Sequence, residues 1–160
     1  MANPVLLLHG FTGSVSSTWK PTGLIDLLQE AGREVIAIDL PGHGTAIKHH
    51  DPKAYAGMEQ QLVDELPEGT IDGVGFSMGA RTLLCMAAIA PHKFGKLVVA
   101  GVGRNLFERD EAQAERIAKG VQGEADPGDV HAQTFARYAT EADQDGQALA
   151  AFMRRKHYPL

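Results

Sequence analysis

The chain has 160 residues, enough to bury a core within one domain, and its 44% apolar and 22% charged residues are ordinary for a soluble globular protein. A formal charge of −5 argues against a nucleic-acid or anionic-membrane surface. A single cysteine, Cys85, excludes a disulfide framework and reads as a small core residue among Leu83, Leu84, Met86 and Ala87.

Four short runs rich in Val, Ile and Leu read as buried strands: Val5–His9, Glu34–Leu40, Ile71–Phe76 and Leu97–Val102. The first of them is too short for a signal or membrane segment and no basic residues precede it, so the expected location is cytoplasmic. Between strands one and two, Leu24, Leu27, Leu28 and Ala31 recur at helical spacing, and Gly32 supplies a stop. A second helix is expected from the Asp51-Pro52 start to Leu66-Pro67, and a third from Ser77 to Ala90, ahead of Pro91. Strand–helix alternation predicts an α/β fold with a mostly parallel sheet of about four strands and right-handed crossovers. Beyond Val102 the chain turns rich in Ala, Gln, Glu and Arg. Apolar points from Phe107 to Met153 predict three helices with a loop over Gly123–Gly128, and the acidic residues after 107 read as their solvated faces. The expected division is a core over 1–103 and a helical segment over 104–160.

Gly75-Phe76-Ser77-Met78-Gly79 joins the third strand to the third helix. A serine hydroxyl becomes a useful nucleophile only when it projects into a site where a base can take its proton. A tight strand-to-helix turn achieves that projection, and glycines at ±2 remove side chains that would clash there. The helix that follows points its N-terminus and the Met78 N–H at any oxyanion formed on the substrate. The alternative is a glycine-rich turn in which Ser77 merely caps the helix. After strand one, His9-Gly10-Phe11-Thr12-Gly13 exposes backbone amides, and the Phe11 N–H is the candidate second oxyanion donor. With strands ordered 2-1-3-4, both motifs flank the switch point where open α/β sheets bind ligands.

Together with Asp39-Leu40-Pro41-Gly42-His43-Gly44, these motifs resemble the signature series of the α/β-hydrolase superfamily, in its order and at similar spacing. The resemblance covers about residues 3–102, and residues 103–160 resemble that family's helical cap. It implies Ser77 as nucleophile, the Phe11 and Met78 amides as oxyanion hole, a turn role for Asp39–Gly44 with a structural His43, and a small ester or related acyl compound as substrate. It implies no metal or organic cofactor and neither a nucleic-acid nor a membrane partner. The family's catalytic acid and histidine follow later strands. His92, His131 and His157 follow no apolar strand here, so base and acid are expected outside this chain.

Three rival readings stand beside this one. Gly73, Gly75 and Gly79 mimic a dinucleotide fingerprint, but the spacing is one residue too long and no acid closes the next strand. Gly75–Arg81, His9–Gly13 and Trp19 also resemble the menaquinone-pathway lyases of the superfamily, with Arg81 pairing a substrate carboxylate or standing as a solvated helix residue, and Trp19 lining a pocket or packing beneath the cap. The third reading is a non-catalytic fragment or binding module. His49-His50-Asp51 reads as a loop and helix cap, not a metal site. Leu97–Val102 is expected to be an apolar edge that pairs with a partner chain or a C-terminal half.

Overall fold

A computed structural model describes residues 2–158 and Leu160. Four parallel strands form one sheet in the order β2-β1-β3-β4. They are β1 (Val5–Leu8), β2 (Val35–Ile38), β3 (Ile71–Phe76) and β4 (Phe94–Ala100). The strand order matches the sequence expectation. Every residue of β1 is buried because it pairs on both sides and is covered on both faces. Alternation then sorts its side chains. Leu6 and Leu8 enter the larger core cluster, while Val5 and Leu7 join Trp19 in a smaller one on the other face.

The helices are α1 (Lys20–Thr22), α2 (Leu24–Glu30), α3 (Met58–Glu65), α4 (Met78–Ile89), α5 (Glu111–Lys119), α6 (Val130–Glu141) and α7 (Gly146–Met153). The helix expected over 51–66 is broken. Asp51 caps a 3-10 turn at Pro52–Tyr55, and Gly57, at φ +72°, restarts the chain into α3. A wide helical turn at Val15–Trp19, absent from the sequence expectation, precedes α1. The fourth strand begins and ends earlier than expected, because Gly101 at φ +71° turns the chain after Ala100.

The three helices expected beyond Val102 are present. Each begins on an aspartate, with Asp110, Asp129 and Asp145 accepting backbone N–H bonds from the first turns of α5, α6 and α7. Part of the acidity expected on helix faces is thus helix capping. Ile117, Leu149 and Phe152 extend the larger core, whereas Phe107, Val130 and Tyr138 stay exposed. Cys85 is half-buried, not enclosed as expected, because it lies beside Arg81 on the flank of α4.

At the N-terminal ends of the strands, Asp72 accepts from Asn3, Arg33 and the Lys96 amide, tying β1, β3 and β4 together away from the site. Among the described residues β4 pairs only with β3, and Val98 is 60% exposed on it. Among the described residues, no helix is long and apolar enough to cross a membrane.

Candidate active site

β3 carries the chain straight into Ser77, which adopts φ +53°, ψ −114°. A non-glycine residue held there stores about 1–3 kcal/mol of strain, sustained only by its surroundings. Two bonds hold it: Ser77 N donates to Ala100 O at 2.8 Å, and Arg81 N donates to Ser77 O at 3.1 Å. Its hydroxyl makes no capping bond to α4, so the alternative of a plain serine cap does not describe this turn. The flanking glycines have a steric reason. A Cβ on Gly75 would stand 2.6 Å from the Ala80 Cα, and one on Gly79 would collide with the Leu8 and His9 carbonyls.

The loop after β1 lies against this turn. A Cβ on Gly10 would stand 3.5 Å from the Ser77 Cβ, and Gly13 N closes a tight turn onto Gly10 O at 3.0 Å. Thr12 is buried at φ +66°, a second strained residue within 12 residues of β1's start. Among the described residues, neither the Phe11 nor the Met78 amide has an internal acceptor. Two free N–H groups therefore sit on the two turns that meet at Ser77.

Fully buried His9 fixes the loop from beneath. Its Nε2 accepts from Leu40 N at 3.0 Å, so the ring proton is on Nδ1 and is donated to Gly10 O at 2.8 Å. Burial lowers its pKa, with the Gly10 bond and Asp39 offsetting part of the effect, and the ring stays neutral. Burial works against the Asp39 carboxylate. Bonds from Thr45 N, Val15 N and Thr45 Oγ1 outweigh that penalty and hold its pKa below the usual range. His43, also fully buried, is pushed down to about 3 by burial and by His9, and its ring packs edge-on against Phe11 and Phe152. Asp39–Gly44 is accordingly a supporting turn.

Ser77 contributes to the walls of two cavities. One, of about 540 Å³, is lined by the Gly10–Gly13 loop, Phe76, Phe135 and Tyr138, with Glu141 its sole charged residue. The other, of about 210 Å³, is lined by Met78, Arg81, Glu108, Arg109, Asp110, Arg155 and His157 among others. Phe11 and Phe135 belong to both.

In the smaller cavity, Arg81 donates to Tyr158 O, has a loose contact with Glu59 at 3.8 Å, and has a buried Nε with no partner among the described residues. Arg155 stacks on Phe152, 3.7 Å above the ring centre, and donates to Phe152 O. Burial lowers its pKa to about 10, Glu59 opposing and Arg81 and Arg109 adding to the shift. His157 is pushed to about 4 by burial and the same three guanidinium groups, and its buried Nε2 has no partner among the described residues.

Ser77, Phe11, Met78 and Arg81 thus converge, and Trp19 does not join them. It packs with Val5 and Leu7 in the smaller core cluster and lines neither cavity. Sequence reasoning missed Arg109, Arg155, Phe135 and Tyr138. Helical period brings apolar residues to one face, but nothing in it shows which arginines turn inward. His50 and Asp51 serve as a partner for Asp145 and as a cap. Among the described residues, no group of three or more His, Cys, Asp or Glu is arranged to hold a metal ion.

A family model described as the alpha/beta hydrolase fold matches residues 3–159. The chain is 33% identical over 109 residues to the esterase Rv0045c of Mycobacterium tuberculosis, covering 66% of this chain and 35% of that protein. It is 31% identical over 111 residues to a 2-hydroxy-6-oxononadienedioate/2-hydroxy-6-oxononatrienedioate hydrolase of Cupriavidus pinatubonensis, covering 64% and 37% of the two chains. Among solved structures, the esterase EaEST of Exiguobacterium antarcticum superposes with a TM-score of 0.64 at 18% identity, over 97% of this chain and 66% of that one. The chain spans between 35% and 43% of the length of the first three curated relatives it matches. A match over residues 3–159, on a sheet ordered β2-β1-β3-β4 with a serine on the turn after β3, makes this chain a member of the α/β-hydrolase family.

Proposed function

We propose that this chain carries the nucleophile and oxyanion hole of a serine hydrolase acting on a carboxylic ester. The observation that carries the reading is Ser77 itself, held at φ +53° with an uncapped hydroxyl between two unpaired amides. The hydroxyl would attack the ester carbonyl, forming the C–O bond of a tetrahedral intermediate whose oxyanion takes the Phe11 and Met78 N–H bonds. Collapse would expel the alcohol and leave an acyl group on Ser77 for water to remove. The helical segment 104–160 would act as the cap over this site.

The base and its orienting acid are assigned to residues outside this chain. Both His9 ring nitrogens are engaged, and His43 is enclosed by aromatic rings. His157 lines a cavity beside Ser77, but at about 4 it is a weak base near neutral pH. A strand pairing with the open side of β4, from a partner chain or a C-terminal half, would bring in the missing groups. Reaction with a fluorophosphonate probe tests the assignment. Slow labelling confined to Ser77, accelerated by such a partner, is expected. Fast labelling of the 160-residue chain alone would put the base within it and remove the fragment reading.

A second reading concerns substrate and reaction. Three arginines around about 210 Å³ beside Ser77 favour an acyl compound that carries a carboxylate. The dienedioate named for the Cupriavidus relative is a substrate of that kind. The lyase alternative uses the same serine and the same cationic cavity. Turnover of an aryl ester against that of a carboxylated cyclohexadiene, with the partner segment present, separates the two.

A further inference from the structure

One residue of the helical segment reaches both loops beneath the site. The turn between α6 and α7, residues 142–145, holds Asp143 at φ +49° and directs the Gln144 side chain at the sheet's C-terminal edge. Gln144 Nε2 donates to Gly13 O at 3.0 Å and to Thr12 O at 3.3 Å, while its Oε1 accepts from Gly44 N at 2.9 Å. Partner chemistry sets the amide's orientation. The two carbonyls only accept and the Gly44 amide only donates, so a flipped side chain would face repulsion at both ends. The next residue, Asp145, bonds His50 at 2.9 Å while capping α7. The turn is therefore seated on both loops at once.

We propose that Gln144 is a positioning residue. By clamping the His9–Gly13 loop to the Asp39–Gly44 turn, it fixes the Phe11 amide relative to Ser77 only while the helical segment is seated. The clamp rests on the oxyanion role proposed above for Phe11. His9 holds the same loop through Gly10 O and already ties it to the same turn through Leu40 N, but from within the core and whatever the helical segment does. Gln144 is the sole side-chain partner of the Thr12 and Gly13 carbonyls among the described residues. Its amide is also the right chemistry. Asparagine is one methylene short, leucine offers no bond, and an ionised glutamate sets oxygen against two carbonyls.

Three proteins test the clamp: wild type, Gln144→Leu and Gln144→Glu, each first shown to melt as a folded domain. Fluorophosphonate labelling of Ser77 is resolved into its saturating rate and half-saturating probe concentration. Gln144→Leu is expected to lower the rate about tenfold, as for one lost hydrogen bond to a critical group, and to leave the half-saturating concentration within twofold. Gln144→Glu is expected to be slower still at pH 8. Relative to wild type at the same pH, it should recover towards pH 5, because a protonated carboxyl both donates and accepts as the amide does. Asp39, Lys48, His50, Asp143 and Asp145, the ionisable groups around the turn, are common to both proteins and cancel in that ratio. Equal labelling rates in all three, or a flat Gln144→Glu ratio, would overturn the proposal. A wild type that never labels sinks the reading of Ser77 instead. Hydrogen exchange then decides the clamp: at least tenfold faster exchange of the Gly44 amide in Gln144→Leu supports it, and unchanged exchange overturns it.

Discussion

The two cavities that meet at Ser77 differ in chemistry more than in position. The larger is built from backbone, hydroxyls and aromatic rings, and its floor is the loop after β1. The smaller gathers three guanidinium groups and a histidine, all but Arg81 from the chain beyond Gly103. Ser77 stands between an aromatic chamber that holds one carboxylate, Glu141, and a cationic chamber. The sheet thus carries the serine, and the helical segment carries most of the charge around it. Such a division arises because backbone geometry is set by strand and turn, whereas charge can be hung on any packed helix.

The largest expected effect removes the border itself. Ser77→Ala should abolish fluorophosphonate labelling, and labelling that persists would move the nucleophile elsewhere. Ser77→Gly should abolish it too while raising stability by about 1 kcal/mol, since glycine tolerates φ +53°.

Next is the wall beneath both chambers. His43 has a native pKa of about 3 against 6.5 ordinarily, so the unfolded chain binds protons first as pH falls. Its contribution to stability is whole above pH 6.5 and is lost on descending towards 3, about 2 kcal/mol of it between pH 7 and pH 5. His9, also lowered, adds in the same direction. His43→Phe, which gives up only the bond to Pro41 O, should flatten that decline in thermal melts. An equally steep fall in the variant would show that the proton goes elsewhere.

Arg155→Met probes the cationic chamber alone. Loss of a charge-assisted bond of about 1.5–3 kcal/mol predicts roughly 10- to 100-fold weaker binding of a carboxylate-bearing ester analogue, with a neutral analogue changed less than twofold. Equal losses for both would erase the distinction between the chambers. The smallest effect is Tyr138→Ala in the aromatic chamber. Its ring is 45% exposed, so aryl-ester analogue binding should weaken by under 1 kcal/mol with no change in the carboxylate preference.

Much of this was legible along the chain. Strand order, the Ser77 turn and the loop after β1 follow local signals: short β-branched runs, glycines at fixed offsets and a switch from strand to helix period. The three C-terminal helices were visible as well, although Asp110, Asp129 and Asp145 looked like surface charge until their caps were seen. Trp19 shows the limit. Resemblance left it either lining a pocket or packing beneath the cap, and tertiary packing assigned it to the core cluster of Val5 and Leu7.

By itself, then, the sequence determined the sheet and the place of the serine on the turn after β3, since each depends on backbone conformation within a few residues. Only the tertiary structure decided that Arg81, Arg109 and Arg155 share one cavity and that Gln144 spans the loops at Thr12 and Gly44. Those groups lie up to 132 residues apart, and no local period encodes which of many polar side chains a folded helix will turn inward.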